Sequence, residues 1–128
     1  MTPDLSLLMW SVVLMFGQML VAVSGATLQV GLAPLAGNRE GLPAPTGWAG
    51  RAQRAHRNML ENLVLFAALV LVAHVAGKAN AMTHLGAQLF FWGRLAYAAI
   101  YLAGIPWLRT GIWFVSVVGM ALIFTQLV

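Results

Sequence analysis

Cysteine is absent from this chain of 128 residues, and charged residues make up only 8% of it. Without cysteine the protein has no disulfide, no thiolate metal ligand and no thiol nucleophile of its own, so any thiol chemistry must arrive with a ligand. A soluble domain of this length needs more charge to cover its surface. Hydrophobic residues account for 61% of the chain, which is typical of helices that face lipid.

The formal net charge is +4, but the cations are a few arginines placed around apolar segments rather than a basic stripe on a polar domain. We therefore expect membrane lipid as a partner and no nucleic acid. The start of the chain, Met1–Asp4, has no basic region before its apolar run. This pattern favours a retained membrane span over a cleaved signal peptide.

Four apolar segments are near or above the length of about 20 residues that spans a bilayer as a helix. They cover residues 5–35, 48–77, 82–103 and 108–128, and a loop rich in turn-forming residues separates the first two at 36–47. The sequence thus predicts one all-α domain over residues 1–128, an integral membrane bundle of four transmembrane helices. The sequence shows no inverted repeat and no broken helix, the features that are typical of transporters.

Basic residues are concentrated on one side of this arrangement. Arg39 lies in the first loop with three more arginines just after it, and Arg109 follows the loop between the third and fourth segments, whereas Lys78 stands alone on the opposite side. The positive-inside rule then places both termini outside the cytoplasm. We expect a multi-pass integral membrane protein with its basic loops on the cytoplasmic side.

Polar residues continue into the second segment along one helical face. At about 100° per residue, one arc of about 120° holds Arg51, Arg54, Arg57, Asn58 and Glu61. The apolar run after them is too short to cross a bilayer, so this polar face must enter the membrane. Charge in that position normally faces a cavity or a partner.

The third and fourth segments bring further polar groups to the same depth. Arg94 lies about 15 Å from its cytoplasmic turn and Glu61 about 17 to 20 Å from its helix start, so we predict that the two are close and neutralise each other. Tyr97 and Tyr101 follow on the face of Arg94, and Arg109 enters the fourth segment nearby. The surplus of guanidinium groups predicts a cavity for a small anion.

These motifs resemble the MAPEG family, the membrane-associated proteins in eicosanoid and glutathione metabolism, and in particular its bacterial members similar to microsomal glutathione transferases. The resemblance rests on RAQRAHRNMLEN at residues 51–62, followed by Gly93-Arg94, Tyr97, Tyr101-Leu102, Pro106 and Arg109-Thr110. It implies a homotrimer with glutathione bound between neighbouring protomers near the cytoplasmic side. It also implies transferase or peroxidase activity on lipophilic electrophiles or hydroperoxides, dissolved in the bilayer.

The resemblance also implies roles for individual residues. Those expected to bind glutathione are Arg51, Arg54, Arg57, Asn58, Glu61, Arg94, Tyr97 and Tyr101, and those expected to act on its thiol are Arg109, Thr110 and Tyr101. Arg109 matches the arginine that stabilises the thiolate, whereas Tyr97 stands where prostaglandin synthases of the family have histidine, which argues against that specialised activity. No metal site is expected, and His56, His74 and His84 are interpreted as non-functional.

A second hypothesis is a non-enzymatic membrane protein whose cationic pocket binds another small anion or only supports trimer assembly. Family members that bind glutathione well often carry a basic residue late in the first helix, and Leu28–Leu32 contains none. Arg94 could serve only to neutralise Glu61, and Arg109 could be an interfacial anchor beside Trp107. The sequence leaves the electrophilic substrate and the thiol of the host organism open.

Overall fold

A computed structural model describes all residues, 1–128, as five helices with no strand. Helix α1 covers Pro3–Val30, α2 Leu32–Ala36, α3 Gly47–Val75, α4 Ala81–Ala103 and α5 Pro106–Leu127. The segments expected at 48–77, 82–103 and 108–128 correspond to α3, α4 and α5.

The first segment is not the single helix that hydropathy indicates. It breaks at Gly31, whose φ of 98° and ψ of 157° lie where side chains other than glycine are strained. A short helix, α2, then continues to Ala36. The prediction of one uninterrupted segment over 5–35 is wrong at this point, because average hydropathy does not register a single backbone turn.

Three helices are long and apolar enough to cross a membrane, namely α1, α3 and α5. In the most apolar stretch of α1 only 11% of the residues are buried, so its hydrophobic side chains face outward as an integral membrane protein requires. The four spans expected from the sequence are thus not all met. Helix α4 is not among the three, since Thr83, His84, Gln88 and Arg94 lower its hydropathy.

Side-chain contacts define the two ends of the bundle. At one end, here called the terminal end, Lys78 Nζ donates to the carbonyl of Leu127 (3.1 Å). At the other, here called the loop end, the amide of Gln29 exchanges two hydrogen bonds of 2.8 Å with the backbone of Thr46. The long helices α1, α3, α4 and α5 therefore alternate in direction between these two ends.

The core lies between α3, α4 and α5. Phe66 and Phe90 are fully buried and stack with ring centroids 3.9 Å apart, and Met59 and Ile123 pack in the same cluster. Helices α4 and α5 approach most closely at Gly86, where an added Cβ would overlap the carbonyl oxygen of Gly119. The resulting packing holds the polar part of α4 against α3 and α5.

A polar cluster at the terminal end joins α1 to α4. Asp4 is buried and accepts a hydrogen bond from Thr83 Oγ1 at 2.8 Å, and its other oxygen lies 3.1 Å from His84 Nδ1. Gln88 Nε2 lies 3.2 Å from the remaining ring nitrogen of His84. The sequence interpretation gave His84 no role and did not consider Asp4, because this contact joins residues about 80 positions apart.

Candidate functional site

The loop-end half of α3 divides into a buried face and an exposed face. Ala52, Ala55 and Met59 are buried against the other helices. Arg54 and Arg57 are exposed in the protomer, as the helical period requires for residues between those buried positions. The polar face expected from the sequence is therefore present, and it lies mostly on the outside of the single chain.

Two tyrosines of α4 form the floor of the site. Tyr97 and Tyr101 are 5% and 9% exposed, and their ring centroids are 5.4 Å apart, as expected for residues four positions apart on a helix. The guanidinium carbon of Arg94 lies 4.2 Å from the centroid of the Tyr97 ring. This distance is within the range of a cation–π contact.

Arginines from two other helices meet on Tyr101. Arg54 Nε on α3 donates to the phenol oxygen at 3.2 Å. The guanidinium carbon of Arg109, in the first turn of α5, lies 4.5 Å from the centre of the same ring. Tyr101 thus joins side chains from three helices, and its phenol hydrogen makes no hydrogen bond within the protomer.

A polar cavity of about 140 Å³ opens beside this cluster. Its walls are Asn58, Tyr97, Arg109, Thr110 and Trp113. Small-molecule sites usually enclose about 300 to 1,000 Å³. One protomer therefore provides only part of a site for a ligand larger than a few heavy atoms.

Two lining or supporting residues were missed by the sequence analysis. Trp113 follows Arg109 by four positions and shares its helical face, a spacing that could have identified it. Asn62 is buried and donates to both the backbone carbonyl and the side-chain oxygen of Asn58, at 2.8 and 3.2 Å. These bonds engage the amide oxygen of Asn58 and leave its amide N–H groups for a ligand.

The hydroxyl of Thr110 donates to the carbonyl of Pro106 at 3.2 Å. Its proton is used within the helix, in the bond to the carbonyl four residues earlier that threonine side chains can make. Thr110 lines the cavity, and its hydroxyl oxygen can still accept a hydrogen bond. In the protomer the phenol hydroxyls of Tyr97 and Tyr101, unlike the hydroxyl of Thr110, donate to no other group, and of the two tyrosines Tyr97 lines the cavity.

The predicted ion pair between Glu61 and Arg94 is absent from the protomer. The one ion-pair contact in the chain joins His84 to Asp4, and the three guanidinium nitrogens of Arg94 are buried without a hydrogen-bond partner. The sequence predicts a similar depth in the membrane for the two residues, but it does not fix the direction in which each side chain points around its helix axis. Met59 is fully buried, and Glu61 lies about 200° from it around α3, so Glu61 faces outward.

Arg51 and Arg57 also lie outside the cavity. Arg51 Nε donates to the carbonyl of Leu102 at the end of α4 (2.9 Å), beside Gly104. Arg57 is exposed and makes no side-chain hydrogen bond within the protomer. The expected binding residues therefore separate into three sets. One set converges at the cavity, Arg57 and Glu61 are exposed on α3, and Arg51 lies by itself at the end of α4.

No curated protein and no solved structure matches this chain. A family model described as the MAPEG family matches residues 7–128, which includes α1 and not only the second half that carries the quoted motifs. That family includes glutathione transferases and related proteins. The helical architecture, the apolar spans and the match over nearly the whole chain lead to one conclusion: this protein belongs to the MAPEG family.

Proposed function

We propose that this protein is a membrane-bound, glutathione-dependent transferase or peroxidase acting on lipophilic electrophiles or hydroperoxides. The observation that carries the proposal is the meeting of Arg54 and Arg109 on Tyr101, from three helices, beside a polar cavity. MAPEG proteins generally use glutathione. An arrangement of this kind has a net positive charge and favours an anionic ligand.

The residues at the cavity fit glutathione chemically. The tripeptide carries two carboxylates, which guanidinium groups bind with two parallel hydrogen bonds. Arg94 does not line the cavity, but it packs against the ring of Tyr97 and adds a third positive charge behind the cavity wall. Asn58 would donate its free amide hydrogens, and Arg54 would hold a carboxylate at the rim of the cavity.

The small cavity and the outward face of α3 support a site shared between copies. Arg57 and Glu61 are exposed in one protomer, and MAPEG proteins are generally trimers. We propose a homotrimer in which this face meets the neighbouring copy and completes the glutathione site.

The same proposal includes α4 as a fourth span and a defined orientation. Its 23 residues extend about 34 Å, enough to cross a bilayer core of about 30 Å. Its polar groups would then be shielded by α3 and α5. By the positive-inside rule, the arginines at the loop end would lie on the cytoplasmic side, with both termini on the other side of the membrane.

Bound glutathione would supply the thiol that the chain itself lacks. Arg109 would stabilise the thiolate, since a nearby cation favours the ionised form. The phenol proton of Tyr101 would donate to the same sulfur. With an aryl chloride a carbon–sulfur bond forms and chloride leaves; with a hydroperoxide two thiols become one disulfide while the hydroperoxide is reduced to alcohol and water.

The test is turnover of a chlorinated aromatic substrate with glutathione by the purified protein in detergent. Because Arg109 is a fixed charge at the reacting sulfur, we expect Arg109→Ala to lower kcat by roughly 10² to 10³. Arg39→Ala, in the exposed loop, is the matched control and should retain full activity. Unchanged turnover in Arg109→Ala would contradict the assigned role.

One observation favours the second hypothesis, a non-enzymatic anion-binding or assembly role. Gln29 lies where family members often have a basic residue, and its amide is tied to the backbone of Thr46. Thermal unfolding separates the two hypotheses. Millimolar glutathione should raise the midpoint if the tripeptide binds the folded state, and a midpoint that does not move would favour the non-enzymatic role.

A further inference from the structure

Asn62 is a buried polar residue on α3, one helical turn beyond Asn58. Only 9% of Asn62 is exposed, and it does not line the polar cavity, whereas Asn58 does. Burying an amide is costly unless it makes hydrogen bonds. The amide nitrogen of Asn62 donates twice to one residue, to the backbone carbonyl of Asn58 at 2.8 Å and to the Asn58 side-chain oxygen at 3.2 Å.

These two bonds fix the orientation of both amide groups. A backbone carbonyl can only accept a hydrogen bond, so the atom of Asn62 that faces it must be the nitrogen. The same nitrogen also meets the side chain of Asn58, so the Asn58 atom at that contact must be the oxygen. The opposite orientation of either amide would bring two oxygens or two N–H groups face to face.

The remaining polar atom of the Asn58 side chain is its amide nitrogen. It makes no hydrogen bond within the protomer, and it is not one of the enclosed polar atoms. Because Asn58 lines the cavity, its two N–H groups add to the donors that Arg109 provides in the same wall. A ligand group that can only accept hydrogen bonds, such as a carboxylate, fits this pair of residues.

We propose that Asn62 is a positioning residue that holds Asn58 as a hydrogen-bond donor and so selects an acceptor group of the ligand. The inference rests on the proposed function, because it takes glutathione as the ligand of this cavity. Without Asn62, the Asn58 amide is free to turn and present its oxygen, which repels an anion. Asn62 acts through Asn58 and does not touch the ligand.

Asn62→Thr tests this role. A threonine hydroxyl has one proton, and that of Thr110 donates to the carbonyl four residues earlier, so the variant keeps the bond to the Asn58 carbonyl and loses the bond to its side chain. We expect the KM for glutathione to rise roughly three- to tenfold, with kcat unchanged. Asn38→Thr, in the exposed loop, is the matched control. An unchanged KM, whatever the stability of the variant, would overturn the proposal.

A double variant separates action through Asn58 from every other route. Asn58→Ala should raise the KM for glutathione by itself, and adding Asn62→Thr should raise it no further, since both changes affect the same donor. A further rise in the double variant would show that Asn62 acts on the ligand directly or through the fold, and the positioning role would then be wrong.

A measurement without ligand keeps the inference distinct from the proposed function. With isotope-labelled asparagine, NMR of the protein in detergent gives side-chain amide signals from Asn38, Asn58, Asn62 and Asn80, and the variants above identify two of them. The Asn62 amide protons, which are bonded and buried, should exchange slowly with water, and those of Asn58 quickly. The reverse order would contradict the assigned orientation. If the order is as expected but glutathione does not bind, the proposed function fails and the orientation of Asn58 stands.

Discussion

Tyr101 connects more elements of the site than any other side chain, since its hydroxyl accepts from Arg54 and its ring underlies Arg109. Tyr101→Phe keeps the ring and removes both the acceptor for Arg54 and the phenol donor. We expect the KM for glutathione to rise several-fold and kcat to fall, because a charge-assisted hydrogen bond is lost. Steady-state kinetics with glutathione as the varied substrate measures both values.

Tyr97→Phe is the comparison for that variant. The Tyr97 hydroxyl makes no hydrogen bond within the protomer, and its ring, which contacts Arg94, is retained. Its effect on KM should be the smaller of the two. A larger rise in KM for Tyr97→Phe than for Tyr101→Phe would show that Tyr97, and not Tyr101, is the more important tyrosine for glutathione binding.

The terminal end of the bundle depends on a single acid. Asp4→Ala leaves the Thr83 hydroxyl and the His84 ring without their partner on α1. We expect a loss of about 1 to 3 kcal/mol in the free energy of unfolding, measured by denaturant unfolding in detergent. Glu40→Ala removes an exposed acid from the loop and should be neutral, and equal effects of the two variants would mean that the cluster contributes nothing.

At the scale of helices, the contact between α4 and α5 depends on the absence of side chains at Gly86 and Gly119. A Cβ at Gly86 would overlap the backbone of α5, so Gly86→Ala must move one helix. We expect a cost of about 1 to 3 kcal/mol and a lower midpoint in thermal unfolding. The shift should also lower turnover, because Tyr101 and Arg109 lie on these two helices.

Gly17→Ala, in α1, is the matched control for Gly86→Ala. Nothing lies within 4 Å of a Cβ built at Gly17, and alanine is favoured over glycine inside a helix by about 0.8 to 1 kcal/mol. This variant should be neutral or more stable. If both variants lost stability equally, general helix effects and not the close approach would account for the result.

At the scale of the whole molecule, the outward face of α3 continues from Arg57 and Glu61 to the apolar side chains of Val64 and Leu65, which are 64% and 57% exposed. If this face joins the copies of the proposed trimer, Leu65→Gln should shift the protein toward smaller assemblies. Mass measurement in detergent over a range of protein concentrations checks this. Reduced glutathione turnover should accompany dissociation.

Val23→Gln provides the comparison on another exposed face. Val23 on α1 is 55% exposed. Val23→Gln therefore introduces the same amide group on a lipid-facing position outside α3, with a similar free-energy cost of exposing that group to lipid. Its assembly should match that of the wild type. Dissociation in Val23→Gln alone would place the contact between copies on α1 instead.

The sequence by itself determined the membrane class, the family and the polar face of α3, because hydropathy and the helical period act within one segment and can be counted along the chain. Tertiary structure decided the direction in which each polar group faces its neighbours. Glu61 and Arg94 share a depth but not a side, Arg51 pairs with the end of α4, and Asp4 meets Thr83. These outcomes depend on how each helix is rotated about its own axis, and that rotation is set by packing such as the contact between Gly86 and Gly119, which acts across elements far apart in sequence.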